Sequence, residues 1–115
     1  MRVSGFMFLA LLAVGCDATE EVTPAPQDPP NVVDAVGVTA WSPATITIRI
    51  GESVAFRNSS ITIHNVQFTD EVAGRPADVA NFGSGIRQVP FTVQGSYPYR
   101  CGIHPVMQGQ VLVVP

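Results

Sequence analysis

The chain has 115 residues, 46% of them hydrophobic, with ten glycines, ten prolines and a formal net charge of −3. That length holds one domain rather than two, and the composition supports a packed core cut by many turns. There is no lysine, and all six cations are arginine, so no basic patch points to a nucleic-acid partner.

The N-terminal segment reads as separate from the fold. Met1 and Arg2 supply positive charge, and Val3 to Val14 is apolar apart from Ser4 and Gly5. This is short for a bilayer span and the right length for the core of an export signal. It runs into Leu12-Ala13-Val14-Gly15-Cys16. A small residue before a cysteine resembles a bacterial lipoprotein cleavage site, which makes 1–15 a lipoprotein-type signal peptide and Cys16 the lipidated first residue. A plain secretory signal and an uncleaved anchor are the alternatives, and all three place the domain outside the cytoplasm.

Residues 16–31 contain four acids and four prolines and read as an extended, self-repelling tether. From residue 32 onward five acids meet five arginines. The domain, 32–115, therefore carries no net charge with which to steer a partner.

The domain reads as β throughout. Val36 to Trp41 is a weak first strand. Thr45 to Ile50 alternates strictly, with Ile46, Ile48 and Ile50 on one face. Gly51-Glu52 turns the chain, Ser53 to Arg57 resumes the alternation, and Asn58-Ser59-Ser60 breaks it. Ile61 and Ile63 share one face of the next strand, whereas Val66 and Phe68 have the opposite parity, which predicts a bulge or kink between His64 and Asn65. Asp70 to Gly85 is a long loop with a short strand near Val79 to Phe82. Gln88 to Gln94 alternates around Val89, Phe91 and Val93. Tyr97 to Cys101 and Gln110 to Val114 are the last two strands. Tyr97, Tyr99 and Cys101 share a parity, so the thiol points inward behind two rings. No window shows a helical period. The expected fold is all-β: a Greek-key antiparallel β-sandwich of about seven to eight strands.

The chemistry gathers near the C-terminus. In Cys101-Gly102-Ile103-His104-Pro105-Val106-Met107 a thiol, an imidazole and a thioether are each separated by two residues. The one other histidine is His64. Alone, a cysteine is most often a small buried hydrophobe, His64 a satisfied or exposed histidine, and Met107 a core residue. Together, two His, one Cys and a weak Met form the ligand set of a type 1 copper site. Structural zinc prefers four Cys or His ligands. A c-type haem needs a Cys-x-x-Cys-His run, which is absent, and a binuclear copper loop needs a second cysteine. A catalytic copper needs histidines beyond the two present, so the domain reads as no enzyme. A Cys16–Cys101 disulfide is the remaining alternative.

These segments resemble the cupredoxin family on its plastocyanin and amicyanin side. Gly51 to Asn58 resembles the strand before the first ligand, His64-Asn65-Val66 the segment supplying it, and Tyr97 to Val111 the ligand loop. The Cys-x2-His-x2-Met spacing is the short amicyanin form. The resemblance implies that His64, Cys101 and His104 bind one copper ion in a plane and that Met107 is axial. It implies that Asn65 fixes the loop by hydrogen bonds and supports the thiolate. It also implies that redox partners dock on an apolar patch, here Ile103, Pro105 and Val106, and pass electrons through His104. The expected function is a monomeric carrier of single electrons between redox proteins, held to a membrane through Cys16. A copper carrier, store or sensor with no redox role shares these ligands. The lipoprotein-like start and acidic tether depart from amicyanin, a soluble partner of an amine dehydrogenase.

Overall fold

The computed structural model describes residues 27–115, so the export signal, Cys16 and most of the tether lie outside the described residues. Nine strands are present among the described residues: β1 Val32–Val36, β2 Ala40–Ser42, β3 Thr45–Arg49, β4 Ser53–Asn58, β5 His64–Phe68, β6 Val79–Phe82, β7 Gly85–Pro90, β8 Gly95–Arg100 and β9 Gln108–Val114. One sheet runs β2-β1-β4-β7 and the other β3-β9-β8-β5-β6. The fold is an all-β sandwich. It is mixed rather than purely antiparallel, because β1 pairs parallel with β4 and β3 parallel with β9. After β2 the chain changes sheets, and β3 joins the second one beside the last strand.

Alternation places the core. Val33 and Ala35 of β1, Val54 and Phe56 of β4, Val66 and Phe68 of β5, and Tyr97 and Tyr99 of β8 are buried. Of the three isoleucines expected on one face, Ile48 is buried and Ile46 packs against the core, but Ile50 is exposed. Ile50 has left the sheet for a turn, in which the Arg49 N–H reaches Glu52 Oε1 at 2.7 Å and Gly51 takes a φ of +92° that favours glycine.

Three other expectations are corrected. Val36 to Trp41 is not one strand but the turn of the β1–β2 hairpin, with Val36 opposite Ala40. The strand around Val89 starts at Gly85 and ends at Pro90, leaving Val93 exposed in a turn where its carbonyl accepts the Tyr97 hydroxyl at 2.6 Å. Ile61 and Ile63 are not in a strand and both are exposed. His64, Val66 and Phe68 share the buried face of β5, so the inward face does not switch. A register irregularity against β6 nonetheless falls between His64 and Val66, where the bulge was expected.

The end of the expected tether is fastened to the domain. Arg57 grips Asp34 through two nitrogens and reaches Asp28 at 2.7 Å, while the Asn31 carbonyl accepts the Ala55 N–H at 2.9 Å.

Below the C-terminal loop lies an aromatic cluster. Tyr99 packs edge-on against Phe56 at 5.1 Å, Trp41 at 5.8 Å and Phe68 at 6.1 Å between ring centroids. The Tyr99 hydroxyl is buried without a hydrogen-bond partner among the described residues. An unsatisfied buried polar group costs about 1–3 kcal/mol, so Tyr99→Phe is expected to stabilise the fold by about 1 kcal/mol or more in denaturant titrations. Burial also pushes the Tyr99 phenol well above its usual value. Its protonated form therefore contributes stability that is complete below pH ~10, where the unfolded chain begins to ionise, and is lost as pH climbs toward the folded value. The phenylalanine variant should lose less stability in that alkaline range. A variant that is less stable at neutral pH would show that the hydroxyl is satisfied after all.

Candidate metal centre

Two elements deliver the donors. β5 begins at His64, which is fully buried, and Cys101 follows the last residue of β8, also fully buried. The next six residues form a closed loop. The Cys101 N–H bonds the Met107 carbonyl at 2.9 Å, and the Met107 N–H bonds the His104 carbonyl at 2.8 Å. This closure brings the His104 ring back toward the thiol. Met107 is fully buried, and His104 is half-buried.

The Cys101 Sγ stands 3.8 Å from His64 Nδ1 and 3.8 Å from His104 Nδ1. All three donor atoms lie within 4.8 Å of one another. These distances suit a first-row metal ion. Bonds of about 2.3 Å to sulfur and 2.05 Å to imidazole, opened to 120°, put sulfur and nitrogen about 3.8 Å apart. Two imidazoles and a thiol, with a thioether close in sequence, make a donor set that suits copper. Among the described residues Cys101 is a free thiol.

Burial, and then the neighbouring His104, hold the His64 imidazole below its usual pKa, opposed by a hydrogen bond to the Gly37 backbone. The neutral ring, the form that binds metal, is therefore favoured.

Asn65 links the two ligand segments. Its N–H points at the Cys101 sulfur at 3.5 Å, its Oδ1 accepts the Gly102 N–H at 2.6 Å, and its Nδ2 donates to Asn81 Oδ1 at 2.9 Å. On the outer side of the loop, Ile103, Pro105 and Val106 are exposed, Val106 at 67%. The sequence reading missed Asn58, Ser60 and Asn81. In the sequence Asn58 and Ser60 signal only a strand break, although Ser60 stands four residues before His64 and two after Asn58.

Fold and donor set together define a blue-copper protein of the electron-transferring class. The family described as copper binding proteins, plastocyanin/azurin family, matches residues 31–114, and the chain belongs to that family, with one type 1 copper as its cofactor. It is 28% identical to amicyanin from Paracoccus versutus over 96% of this chain and 92% of that one. A solved structure of an oxidized amicyanin variant superposes with a TM-score of 0.64 at 27% identity, covering 71% of this chain and 79% of the other. A copper-containing nitrite reductase from Thermus scotoductus SA-01 superposes with a TM-score of 0.69 at 27% identity, but this chain covers only 25% of it.

Proposed function

We propose that the protein carries single electrons between redox proteins outside the cytoplasm, and that His64, Cys101 and His104 would hold the copper ion, with Met107 as a weaker fourth ligand. The observation that supports this most directly is the convergence of both Nδ1 atoms on the Cys101 sulfur at 3.8 Å. Bound copper supplies the chemistry by taking up and giving back one electron.

The chain's part is to hold the donors still and dry. Asn65 ties β5 to the ligand loop and aims its own N–H at the thiolate. Tyr99, Phe56 and Trp41 fill the space below and exclude water. Cys101 is sealed from solvent, whereas His104 is only half-buried beside Ile103, Pro105 and Val106. A redox partner docks on those apolar side chains and exchanges electrons through the His104 ring. A domain without net charge suits such a contact. The protein acts alone as a carrier, not as an enzyme, since the proposed site uses both histidines of the chain. Lipidated Cys16 and the acidic tether hold the domain at a membrane, for which the check is whether the protein sediments with membranes.

Adding Cu(II) to the metal-free protein is expected to produce an intense blue colour that bleaches on reduction and returns on oxidation. The single tryptophan, Trp41, lies 5.9 Å from the His64 ring between centroids, so its emission should be quenched as copper binds. A colourless protein that takes only Cu(I) would instead mark a copper carrier or store.

A further inference from the structure

The loop between β4 and β5 holds a polar chain with a fixed direction. Asn58, buried at the end of β4, makes four hydrogen bonds. Its Nδ2 donates to the Thr62 carbonyl at 2.8 Å and to the Phe82 carbonyl at 2.9 Å. Its Oδ1 accepts the Ser60 N–H at 3.0 Å and faces the Ser60 hydroxyl at 2.7 Å. The reverse amide orientation is excluded, because it would set an oxygen against two carbonyls and an NH₂ group against the Ser60 N–H.

Ser60 extends the chain. A hydroxyl has one proton and two lone pairs. Its oxygen neighbours, Asn58 Oδ1 at 2.7 Å and the Thr62 carbonyl at 3.1 Å, can only accept. The 2.7 Å approach of two oxygens is attractive only with the hydroxyl proton between them. One lone pair then accepts the Thr62 N–H at 3.1 Å. The other faces His64 Nε2 at 3.2 Å. Toward the imidazole Ser60 therefore offers an acceptor, and Nε2 must carry the ring proton. The neutral ring then has a bare Nδ1, which is the atom 3.8 Å from the Cys101 sulfur.

We propose that Ser60, oriented by Asn58, is a positioning residue for His64: it selects the imidazole form protonated at Nε2 and presents an unprotonated Nδ1 to the metal. This rests on the reading that copper is bound through His64 Nδ1. Two consequences follow. The ring is set before copper arrives, so binding needs no tautomer change. The hydrogen bond given by Nε2–H makes the imidazole a stronger donor, which favours Cu(II) over Cu(I).

The test begins on the copper-free wild-type protein, where long-range proton–nitrogen NMR reads the tautomer of His64. The expected result is a proton on Nε2, and a proton on Nδ1 overturns the proposal. Ser60→Ala is then expected to bind Cu(II) about tenfold more weakly, the low end of the range for loss of a ligand's hydrogen-bond partner. Its reduction potential should rise. Ser60→Thr, which keeps the hydroxyl, should restore both. A loop-packing role alone would not move the potential, since Asn58 still holds the Thr62 carbonyl in the alanine variant. Unchanged affinity and potential in Ser60→Ala overturn the proposal, and so does a Ser60→Thr protein that behaves like the alanine variant. If Ser60→Ala does not fold, the wild-type tautomer and the threonine variant decide. A wild-type protein that gives no blue species with Cu(II), while its His64 is protonated at Nε2, would remove the copper reading and leave the Ser60–His64 assignment standing.

Discussion

Cys101→Ser is expected to abolish the blue species altogether. Cys101 is fully buried, faces both imidazole nitrogens at 3.8 Å, and receives the Asn65 N–H at 3.5 Å. Every one of those contacts is aimed at a soft, polarisable sulfur. A serine oxygen is smaller and hard, and a hydroxyl does not ionise at neutral pH as a metal-bound thiol does. The loss in Cu(I) affinity should exceed the 10–100-fold typical of removing a residue that merely orients a ligand. The fold should survive, because serine has nearly the same shape and a buried hydroxyl costs about 1–3 kcal/mol at most. Visible absorption after Cu(II) addition, with circular dichroism as the control for folding, makes the measurement. A folded serine variant that stays blue would show that the thiolate is not a ligand.

Gly109→Ala should produce the largest loss of stability from the smallest change. Gly109 of β9 stands directly opposite Tyr99 of β8. A Cβ at that position would run into the Tyr99 ring and hydroxyl. Tyr99 is 1% exposed and held by Phe56, Trp41 and Phe68, so its ring has nowhere to retreat. Overpacking typically costs about 1–3 kcal/mol, and this case belongs at the upper end. In a domain of this size that lowers the melting temperature by on the order of 10 °C or more. The same displacement would disturb Met107, two residues upstream, so copper retention should fall as well. Adding Tyr99→Phe should recover part of the loss, because one of the colliding atoms is then gone, and a double-mutant cycle measures that recovery. A Gly109→Ala protein that melts like the wild type would show that the two strands separate easily at this pair.

The ligand loop was legible because Cys101, His104 and Met107 are close in sequence, and a short loop must bring such neighbours together wherever it sits. The strands with one buried face, such as β4 and β8, were legible from alternation for the same local reason. Where the reading failed, the deciding contact was remote. Ile61 and Ile63 look like a strand face, but the backbone around them bonds to the Asn58 and Ser60 side chains instead of a neighbouring strand, so both point to solvent. Val36 to Trp41 conceals a hairpin whose turn needs Gly37 at a φ of +56°. The parallel pairings of β1 with β4 and β3 with β9 depend on which sheet each strand joins, and hydrophobic period does not encode that choice. Ser60 was passed over because a serine after an asparagine usually marks only a turn.

The place of β9 in its sheet bears on when the protein can acquire its metal. The last strand in chain order lies between β3 and β8, not at an edge. Until it is made, β3 has no partner within that sheet and β8 pairs on one side only. His104 and Met107 also emerge just before it. A growing chain therefore holds neither a closed sandwich nor a complete set of donors, and the pairing that closes the sheet, Thr45 with Gln110, spans most of the domain and must wait for the whole sequence. Metal loading is thus confined to the finished chain. A polypeptide threaded through a membrane while still being made would cross it without a preformed site.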